Sequence, residues 1–360
     1  MARKNMGKVK RYRRSFYSGG QQLRRILTGV LALAVLFAAG WLIGPAVIDF
    51  GTSTWYSMKQ GGESSGTSSG TSQPASESQA APEPTPEPQP TAAPAVEPGQ
   101  GSWAFVSISG LSSAEQAAAT AQNLASQGVG YAVVPCKDSQ GYVYYQSSVA
   151  TAQSSVSATT FDAAAVQALK DAGITPIASI CAFRDPLAPY VDRSMAVRYQ
   201  DTDYFWLDAA ADAGGKPWLN PYSDGAANYI TALIDEVRAM GFEQVWLTGV
   251  QFPTTAGRDK ANYGDTAGVS MGQRLTQVLS GWQAGGDCWV EYPLSEVLAG
   301  SDSQLLGASC AELGVKNLAI RVDDALSEEQ QPLLDAAVTE LKAGGVVNIA
   351  LVQGDSLTLL

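Results

Sequence analysis

The chain has 360 residues, with 23 basic and 34 acidic side chains and a formal net charge of −11 at pH 7. It contains no histidine, which excludes Ser-His-Asp and Cys-His catalysis, histidine-ligated zinc and a histidine proton shuttle. None of the four cysteines forms a CxxC pattern. We therefore predict no metal and no cofactor, and we expect buried free thiols, with a disulfide between Cys136 and Cys181 as the alternative.

The first 100 residues predict three segments that lie outside any globular domain. Residues 1–25 are a basic head with no acidic residue, and Ile26–Ile48 has no ionisable side chain. That apolar run is long enough to cross a bilayer, so we predict an uncleaved signal anchor, with a cleavable signal peptide as the alternative. Residues 49–100 form a low-complexity linker, rich in Gly, Ser, Pro and Glu, which is expected to be disordered.

Charge indicates how this chain is oriented and what it does not bind. Nine of the basic residues precede the apolar run, so the rest of the chain has 14 basic against 34 acidic residues. Basic residues stay in the cytoplasm, which predicts a single-pass protein of the cell membrane with residues 101–360 extracytoplasmic. The acidic surface argues against nucleic acid as a partner.

Residues 101–360 alternate between apolar strands and amphipathic helices. The first helix is opened by the capping box Ser112-x-x-Glu115. Strands are predicted at Trp103–Ile108, Tyr131–Cys136, Ile174–Cys181, Gln244–Thr248, Cys288–Tyr292, Asn317–Val322 and Val346–Val352. Further helices are predicted at Phe161–Ala172, Gly225–Met240, Ser270–Trp282, Ser303–Glu312 and Ser327–Lys342.

This alternation predicts an α/β fold with a parallel sheet. No GxGxxG or GxxxxGK[ST] motif follows the first strand, so nucleotide-binding folds lack their phosphate cradle. The length fits one TIM-like (β/α) barrel. A barrel of this kind has eight strands, and seven are counted here. We therefore expect a barrel that lacks its final unit at the C-terminus, with a complete barrel as the alternative.

In barrels of this kind the site lies where the strands end, and polar residues follow several of the predicted strands. Glu291, Asp185 and Asp323 are the candidate catalytic acids. The candidate binding residues, from the strand ends and the long loop after the third strand, are Lys137, Asp138, Arg184, Trp218, Tyr222, Thr248 and Gln251.

Several segments of the chain resemble the putative glycosyl hydrolase domain family. They are GITPIASICAFRDPLAPY, GGKPWLNPY, NYITALIDEVRAMGF and the strand that ends in VQFP. The resemblance extends from about Trp103 to Pro253. It implies a bacterial, glycoside-hydrolase-like TIM barrel that acts on carbohydrate.

The chain departs from the family pattern at the strand ends. The resemblance implies an Asp where the chain has Thr248, an Arg at Gln251 and an Asp at Pro135; a later Met-Tyr-Pro-Ser motif is also replaced, around Leu318–Leu326. A glycosidase needs two carboxyl groups that flank the glycosidic bond. We therefore expect a degenerate domain that binds a cell-envelope polysaccharide.

Two alternatives stay open at this point. One is an active glycosidase that uses a relocated pair of acids, Glu291 with Asp185 or Asp323. The other is a structural or partner-binding module in which the barrel is only a scaffold.

Overall fold

A computed structural model of the protein describes residues 102–253, 256–323 and 325–360. The predicted basic head (1–25), signal anchor (26–48) and linker (49–100) lie outside the described residues. Within the described ranges, no helix is long and apolar enough to span a membrane.

Strands and helices alternate through most of the described chain. The strands are β1 (Ser102–Phe105), β2 (Val129–Lys137), β3 (Val143–Tyr145), β4 (Val156–Phe161), β5 (Thr175–Cys181), β6 (Arg198–Tyr199), β7 (Gln244–Thr248), β8 (Ala261–Asn262), β9 (Cys288–Pro293), β10 (Asn317–Val322), β11 (Asn348–Gln353) and β12 (Ser356–Leu359). The α-helices are α1 (Ala114–Ser126), α2 (Ala150–Gln153), α3 (Ala163–Asp171), α4 (Ala188–Val191), α5 (Asp224–Ala239), α6 (Met271–Gln283), α7 (Leu294–Ala299) and α8 (Gln330–Ala343).

The fold is mixed α/β, with a central sheet that is mostly parallel. Its parallel ladder runs in the order β1, β2, β5, β7, β9, β10 and β11. Each of these strands corresponds to one of the seven predicted from the sequence. β12 was not predicted, and it pairs antiparallel with β11 through a tight turn.

Side chains from all of these strands meet on the inner face of the sheet. β12 also lies in contact with β1. A single buried cluster contains at least one residue from each of the seven strands of the parallel ladder, with Leu357 of β12 packed against it. Its centre is a tryptophan cluster, defined as Trp103, Trp246 and Trp289: the rings of Trp246 and Trp289 stack 5.8 Å apart, and Trp103 meets Trp289 edge-on at 5.4 Å. This arrangement is compatible with a TIM-like barrel.

The helices cover the outer face of the sheet and form a second, larger core. α5 shows how the sequence specifies this packing. Its buried residues recur at three- and four-residue spacing, from Ala226 through Ile230 and Leu233 to Val237, which places them on one stripe of the helix. Ser223 caps the helix by accepting a hydrogen bond from the backbone N–H of Ala226.

The predicted helix at Ser303–Glu312 is wrong. This segment forms turns, because Gly307 has a positive φ of 66° that a helix does not contain. A Cβ at Gly307 would also lie 2.9 Å from the Cβ of Met271. The helical turn in this region instead comes earlier, as α7.

Glu236 of α5 connects the helix layer to the loop that follows β3. Its carboxylate accepts hydrogen bonds from Tyr145 Oη, Ser147 Oγ, and the backbone N–H and Oγ of Ser148, at 2.6 to 3.1 Å. Burial acts to raise the pKa of Glu236, but these hydrogen bonds outweigh it and lower the pKa below its usual value.

We expect Glu236 to make the stability of the fold depend on pH. Because its folded-state pKa is lowered, the stabilisation is fully present above the unfolded-state pKa of about 4.3 and is lost as the pH falls through the folded-state pKa. Urea unfolding between pH 7 and pH 3 measures this loss. In Glu236→Gln, the free energy of unfolding is expected to change less with pH than in the unmodified protein. Identical pH profiles for the variant and the unmodified protein would contradict this role of Glu236.

Candidate functional site

A cleft opens at the C-terminal ends of β5, β7 and β9. We call it the strand-end cleft, and its volume is about 340 Å³. Five of the residues predicted from the sequence line it together: Arg184, Trp218, Thr248, Gln251 and Glu291. The other lining residues are Ser139, Cys181, Asp208, Gly249 and Pro293.

Glu291 lies in this cleft because of the alternation of side chains along β9. Val290 and Tyr292 belong to the outer core, whereas Trp289 belongs to the inner cluster, so Glu291 also faces inward. Its position in the strand is one layer above the tryptophan cluster, toward the open end of the sheet.

Both oxygens of Glu291 are already hydrogen-bonded. Arg321 of β10 donates from Nε to Oε1 at 2.6 Å and from Nη2 to Oε2 at 2.9 Å, and Trp246 Nε1 donates to Oε2 at 2.9 Å. The hydrogen bond to Glu291 raises the pKa of Arg321 above its usual value. A bidentate guanidinium–carboxylate pair is among the strongest of charged hydrogen-bonded pairs, so Glu291 is a fixed anion.

Arg321 was missed by the sequence analysis, although its position carried a signal. In the register of β9 and β10, Ala319 lies beside Glu291, and Arg321 is two residues further along. The two-residue period of a strand places Arg321 on the same face as Ala319. A cation on the inner face next to an inward acid indicates an ion pair.

A second carboxylate, Asp208, lines the cleft from the long loop between β5 and α5. Its Oδ2 accepts a hydrogen bond from Trp218 Nε1 at 3.1 Å, and its Oδ1 accepts one from the backbone N–H of Lys216 at 2.7 Å. The guanidinium of Arg184 lies 6.0 Å from the centre of the Trp218 ring, within reach of a cation–π contact. Trp218 itself is buried and therefore orients these two charged groups.

Gly249 allows the third and fourth predicted strands to approach each other at the base of the cleft. It has a φ of 62°, and a Cβ there would lie 2.8 Å from Cys181 Sγ. Only glycine fits this conformation without displacing its neighbour. The residues on either side of it, Thr248 and Val250, thereby keep their places at the end of β7.

The cysteines are free and buried, as expected from the sequence. Burial raises the pKa of Cys181, even though the nearby Lys137 acts to lower it. A thiol must ionise to become a nucleophile. Cys181 therefore lines the cleft as a neutral group.

Lys137 and Asp185 do not line the cleft. They form an ion pair at 3.0 Å in which both side chains are fully buried. Lys137 also donates to the carbonyl of Cys181, and Asp185 Oδ1 accepts hydrogen bonds from the backbone N–H groups of Leu187 and Ala188. A carboxylate without access to solvent cannot reach a substrate, so the structure gives Asp185 a structural place where the sequence had suggested a catalytic one.

Three further candidates lie outside the cleft. Asp138 accepts hydrogen bonds from the backbone N–H groups of Gln140 and Tyr142, which stabilises the turn between β2 and β3. Tyr222 packs against Phe252 and donates its hydroxyl to the carbonyl of Val269. Asp323 is exposed and lines a neighbouring groove beside α7 and α8.

No metal site is found in the part of the chain that the structure describes, where no three acidic or cysteine side chains are grouped to hold an ion. Each of the two carboxylates of the cleft, Asp208 and Glu291, accepts a hydrogen bond from an indole N–H, and Glu291 also pairs with the guanidinium of Arg321. The chemistry of the cleft is that of hydrogen bonding and of fixed charges.

We expect removal of one partner of the buried ion pair to cost far more stability than removal of one partner of a surface pair. Lys137→Met leaves Asp185 buried and unpaired, which costs about 3–5 kcal/mol. The matched control is Lys170→Met, because the partner of Lys170, Glu243, is largely exposed, and such a pair contributes about 1 kcal/mol or less. Urea unfolding measures both.

A companion variant separates loss of the pair from loss of packing. Lys137→Met combined with Asp185→Asn removes the unpaired charge but keeps an oxygen that accepts the Leu187 and Ala188 hydrogen bonds. We expect it to be more stable than Lys137→Met alone. A double variant that is less stable would show that the cost comes from packing around Lys137.

Solved structures with a similar chain course have low sequence identity to this chain. The PgaB (BpsB) glycoside hydrolase domain from Bordetella bronchiseptica is 13% identical, with 67% of this chain and 81% of that chain covered and a TM-score of 0.49. A hypothetical protein from Ruminiclostridium thermocellum ATCC 27405 is 18% identical, with coverages of 52% and 96% and a TM-score of 0.46. The glycoside hydrolase domain of PelA from Pseudomonas aeruginosa is 12% identical, with coverages of 69% and 81% and a TM-score of 0.36. With TM-scores below 0.5, these structures carry no argument about function.

Among curated proteins, none matches this chain. The family model of the putative glycosyl hydrolase domain matches residues 104–281. This match begins in β1, includes Arg184, Trp218, Thr248 and Gln251, and ends in α6. The resemblance found in the sequence is thus confirmed: residues 104–281 match the model of the putative glycosyl hydrolase domain family.

Proposed function

We propose that this glycosyl hydrolase-like domain is catalytically degenerate and binds a glycan, a polysaccharide of the cell envelope, in the strand-end cleft. The observation that carries the proposal is how the polar side chains of the cleft are used. Both oxygens of Glu291 are bound by Arg321 and Trp246. By contrast, the Arg184 guanidinium and the Gln251 amide have no hydrogen bond or ion pair among the described residues.

Catalysis would require carboxyl groups that are free to exchange protons or to attack. A general acid must hold a proton next to the leaving oxygen, and a nucleophile or base must present a lone pair to the sugar or to water. Glu291 is a fixed anion, and both oxygens of Asp208 accept hydrogen bonds from the protein. Where the resemblance implies the family's acids, this chain has Thr248 and Pro135, which cannot do this chemistry.

Binding, in contrast, requires donors and acceptors with no partner in the free protein. Arg184 is exposed at the edge of the cleft, and Gln251 is half-buried inside it. The Arg184 guanidinium and the Gln251 amide can pair with the hydroxyl oxygens of a sugar ring without losing an internal hydrogen bond. The buried Trp218 fixes Arg184 by the ring contact described above.

The closure of the sheet and the location of the protein are also part of this proposal. The contact of β12 with β1 and the shared inner cluster support a sheet that closes into a TIM-like barrel. The basic residues before Ile26–Ile48 and the apolar character of that run support a membrane-anchored protein with this domain outside the cytoplasm. The ligand would then be met at the cell envelope.

We expect the cleft residues to determine glycan affinity. Arg184→Ala and Gln251→Ala each remove groups that bond the sugar, and each should weaken binding by about tenfold, the equivalent of one good hydrogen bond to a charged or amide group. Isothermal titration calorimetry of the full chain with soluble fragments of envelope polysaccharide measures the affinity. The control is Gln127→Ala, which lies just before β2 at the opposite edge of the sheet.

The outcome that would overturn this proposal is unchanged affinity in both cleft variants. Absence of any binding by the unmodified chain would favour the remaining alternative, a structural or partner-binding module. A protein partner retained on the full chain in the absence of glycan would then identify that role.

We expect no hydrolysis by the unmodified chain. Incubation with the same polysaccharide fragments should release no new reducing ends, because Glu291 is committed to Arg321. If reducing ends do appear and Glu291→Gln abolishes them, the domain is an active glycosidase. The second acid would then be Asp208, since Asp185 is buried and Asp323 faces the neighbouring groove.

A further inference from the structure

The long loop between β5 and α5 carries exposed aromatic side chains that no part of the described chain covers. Tyr190 is 66% exposed, Tyr204 75% and Tyr199 40%. Tyr199 lies in β6, which pairs with β8 to form a small separate sheet. Exposed rings concentrated in one insertion are a common mark of a ligand surface.

Beside this small sheet lies a groove of about 390 Å³, which we call the aromatic groove. Tyr199, Phe205, Leu207 and Asp208 line it, together with Lys260. Its walls are therefore aromatic and aliphatic faces, and its charged groups are the Asp208 carboxylate and the Lys260 ammonium, which pairs with Asp259. The indole of Trp206 beneath it is buried and donates to the carbonyl of Gly257.

The Phe205 ring is held in place before any ligand arrives. The guanidinium of Arg193 lies 4.2 Å from the ring centre, and Tyr190 meets the ring edge-on at 5.1 Å. A ring that is already ordered loses little conformational entropy when a ligand stacks on it. Because that cost is small, the groove suits a ligand that gains only a little binding energy from each ring contact.

The aromatic groove adjoins the strand-end cleft at Asp208. Asp208 lines both cavities, and its carboxylate is fixed by Trp218 and Lys216. A ligand that lies in the cleft and continues past Asp208 therefore enters the groove. A ligand that occupies both cavities must be extended, and a chain of repeating units has such a shape.

Sugars with equatorial hydroxyl groups match both cavities. Their C–H faces are apolar and stack on aromatic rings, and their hydroxyl groups bond charged side chains at the edges. The combination of ring faces with polar edges thus favours a carbohydrate.

We propose that the aromatic groove is a second subsite for the same polysaccharide, so that one sugar polymer spans the strand-end cleft and continues over Asp208 onto Tyr199 and Phe205. This inference rests on the proposed glycan-binding function of the cleft. It adds that the ligand is a polymer and that affinity rises with its length.

The test compares short and long β-1,4-linked oligomers of glucose and of N-acetylglucosamine, disaccharides against hexasaccharides, by titration calorimetry of the full chain. The hexasaccharide should bind at least about tenfold more tightly than the disaccharide, because it also reaches the aromatic groove. Tyr199→Ala should remove most of this gain and leave disaccharide binding unchanged. Tyr142→Ala is the matched control, since Tyr142 is 46% exposed and lines neither cavity.

A second variant protects the test against misfolding of the small sheet. Tyr199→Phe keeps the ring and should retain the preference for the hexasaccharide. If Tyr199→Phe loses that preference together with Tyr199→Ala, ring stacking is not the cause, and the proposal is overturned.

The remaining outcomes separate the two proposals. Equal affinity for both lengths, with Arg184→Ala still weakening binding, would overturn the second subsite and leave the function of the cleft intact. Binding that depends on Tyr199 but not on Arg184 would contradict a continuous path. Binding of neither sugar series at either length would count against both.

Discussion

The hydrogen bond from Trp246 to Glu291 connects the interior of this protein to its candidate site. Three tryptophans fill the inner face of the sheet, and a buried indole N–H favours an acceptor. Trp246 and Trp289 each have one, whereas Trp103 Nε1 has none among the described residues. For Trp289 the acceptor is the side chain of Gln244 below, and for Trp246 it is the carboxylate of Glu291 above. A carboxylate placed there needs a counter-charge, which Arg321 supplies from the next strand. The acid at the mouth of the sheet is thus part of how the interior is satisfied.

This constraint shapes what the strand-end cleft can do. Glu291 cannot be removed without leaving an unpaired indole and an unpaired guanidinium, and it cannot act as an acid or a nucleophile without giving up those partners. The groups of the cleft that have no structural task are Arg184 and Gln251, and it is these that the proposed ligand would contact. Lys137 and Asp185 likewise have a structural role, because they form an ion pair with each other in the core.

The sequence was sufficient to predict the parallel ladder, because its strands are short apolar runs separated by amphipathic helices. β12 was missed since Ser356–Leu359 is short and half polar, and only its pairing with β11 makes it a strand. The helix expected at Ser303–Glu312 failed for a local reason, the left-handed backbone of Gly307. The spacing of apolar residues in a sequence does not indicate where the backbone is left-handed.

The sequence indicated which strand-end residues would meet at one edge of the sheet, and it also indicated Trp218 of the long loop, but it did not indicate Asp208. Thr248, Gln251 and Glu291 were found because they end parallel strands and must meet at one edge of the sheet. Asp208 reaches the cleft from within a long loop, and nothing in the local sequence indicates this. Lys137 and Asp185 also follow strand ends, but whether such a pair faces the solvent or the core depends on packing that the sequence does not reveal.

The antiparallel strand β12 has a consequence for how the domain assembles. It is joined to β11 by a tight turn at Gly354, so the hairpin itself forms from neighbouring residues. Its other contact is with β1, at the opposite end of the described chain, where the two strands lie close together without pairing. Closing so long a loop is slow and costly in entropy before the contact compensates for it. We therefore expect the seam between β1 and β12 to form last during folding and to be the first part of the sheet to open.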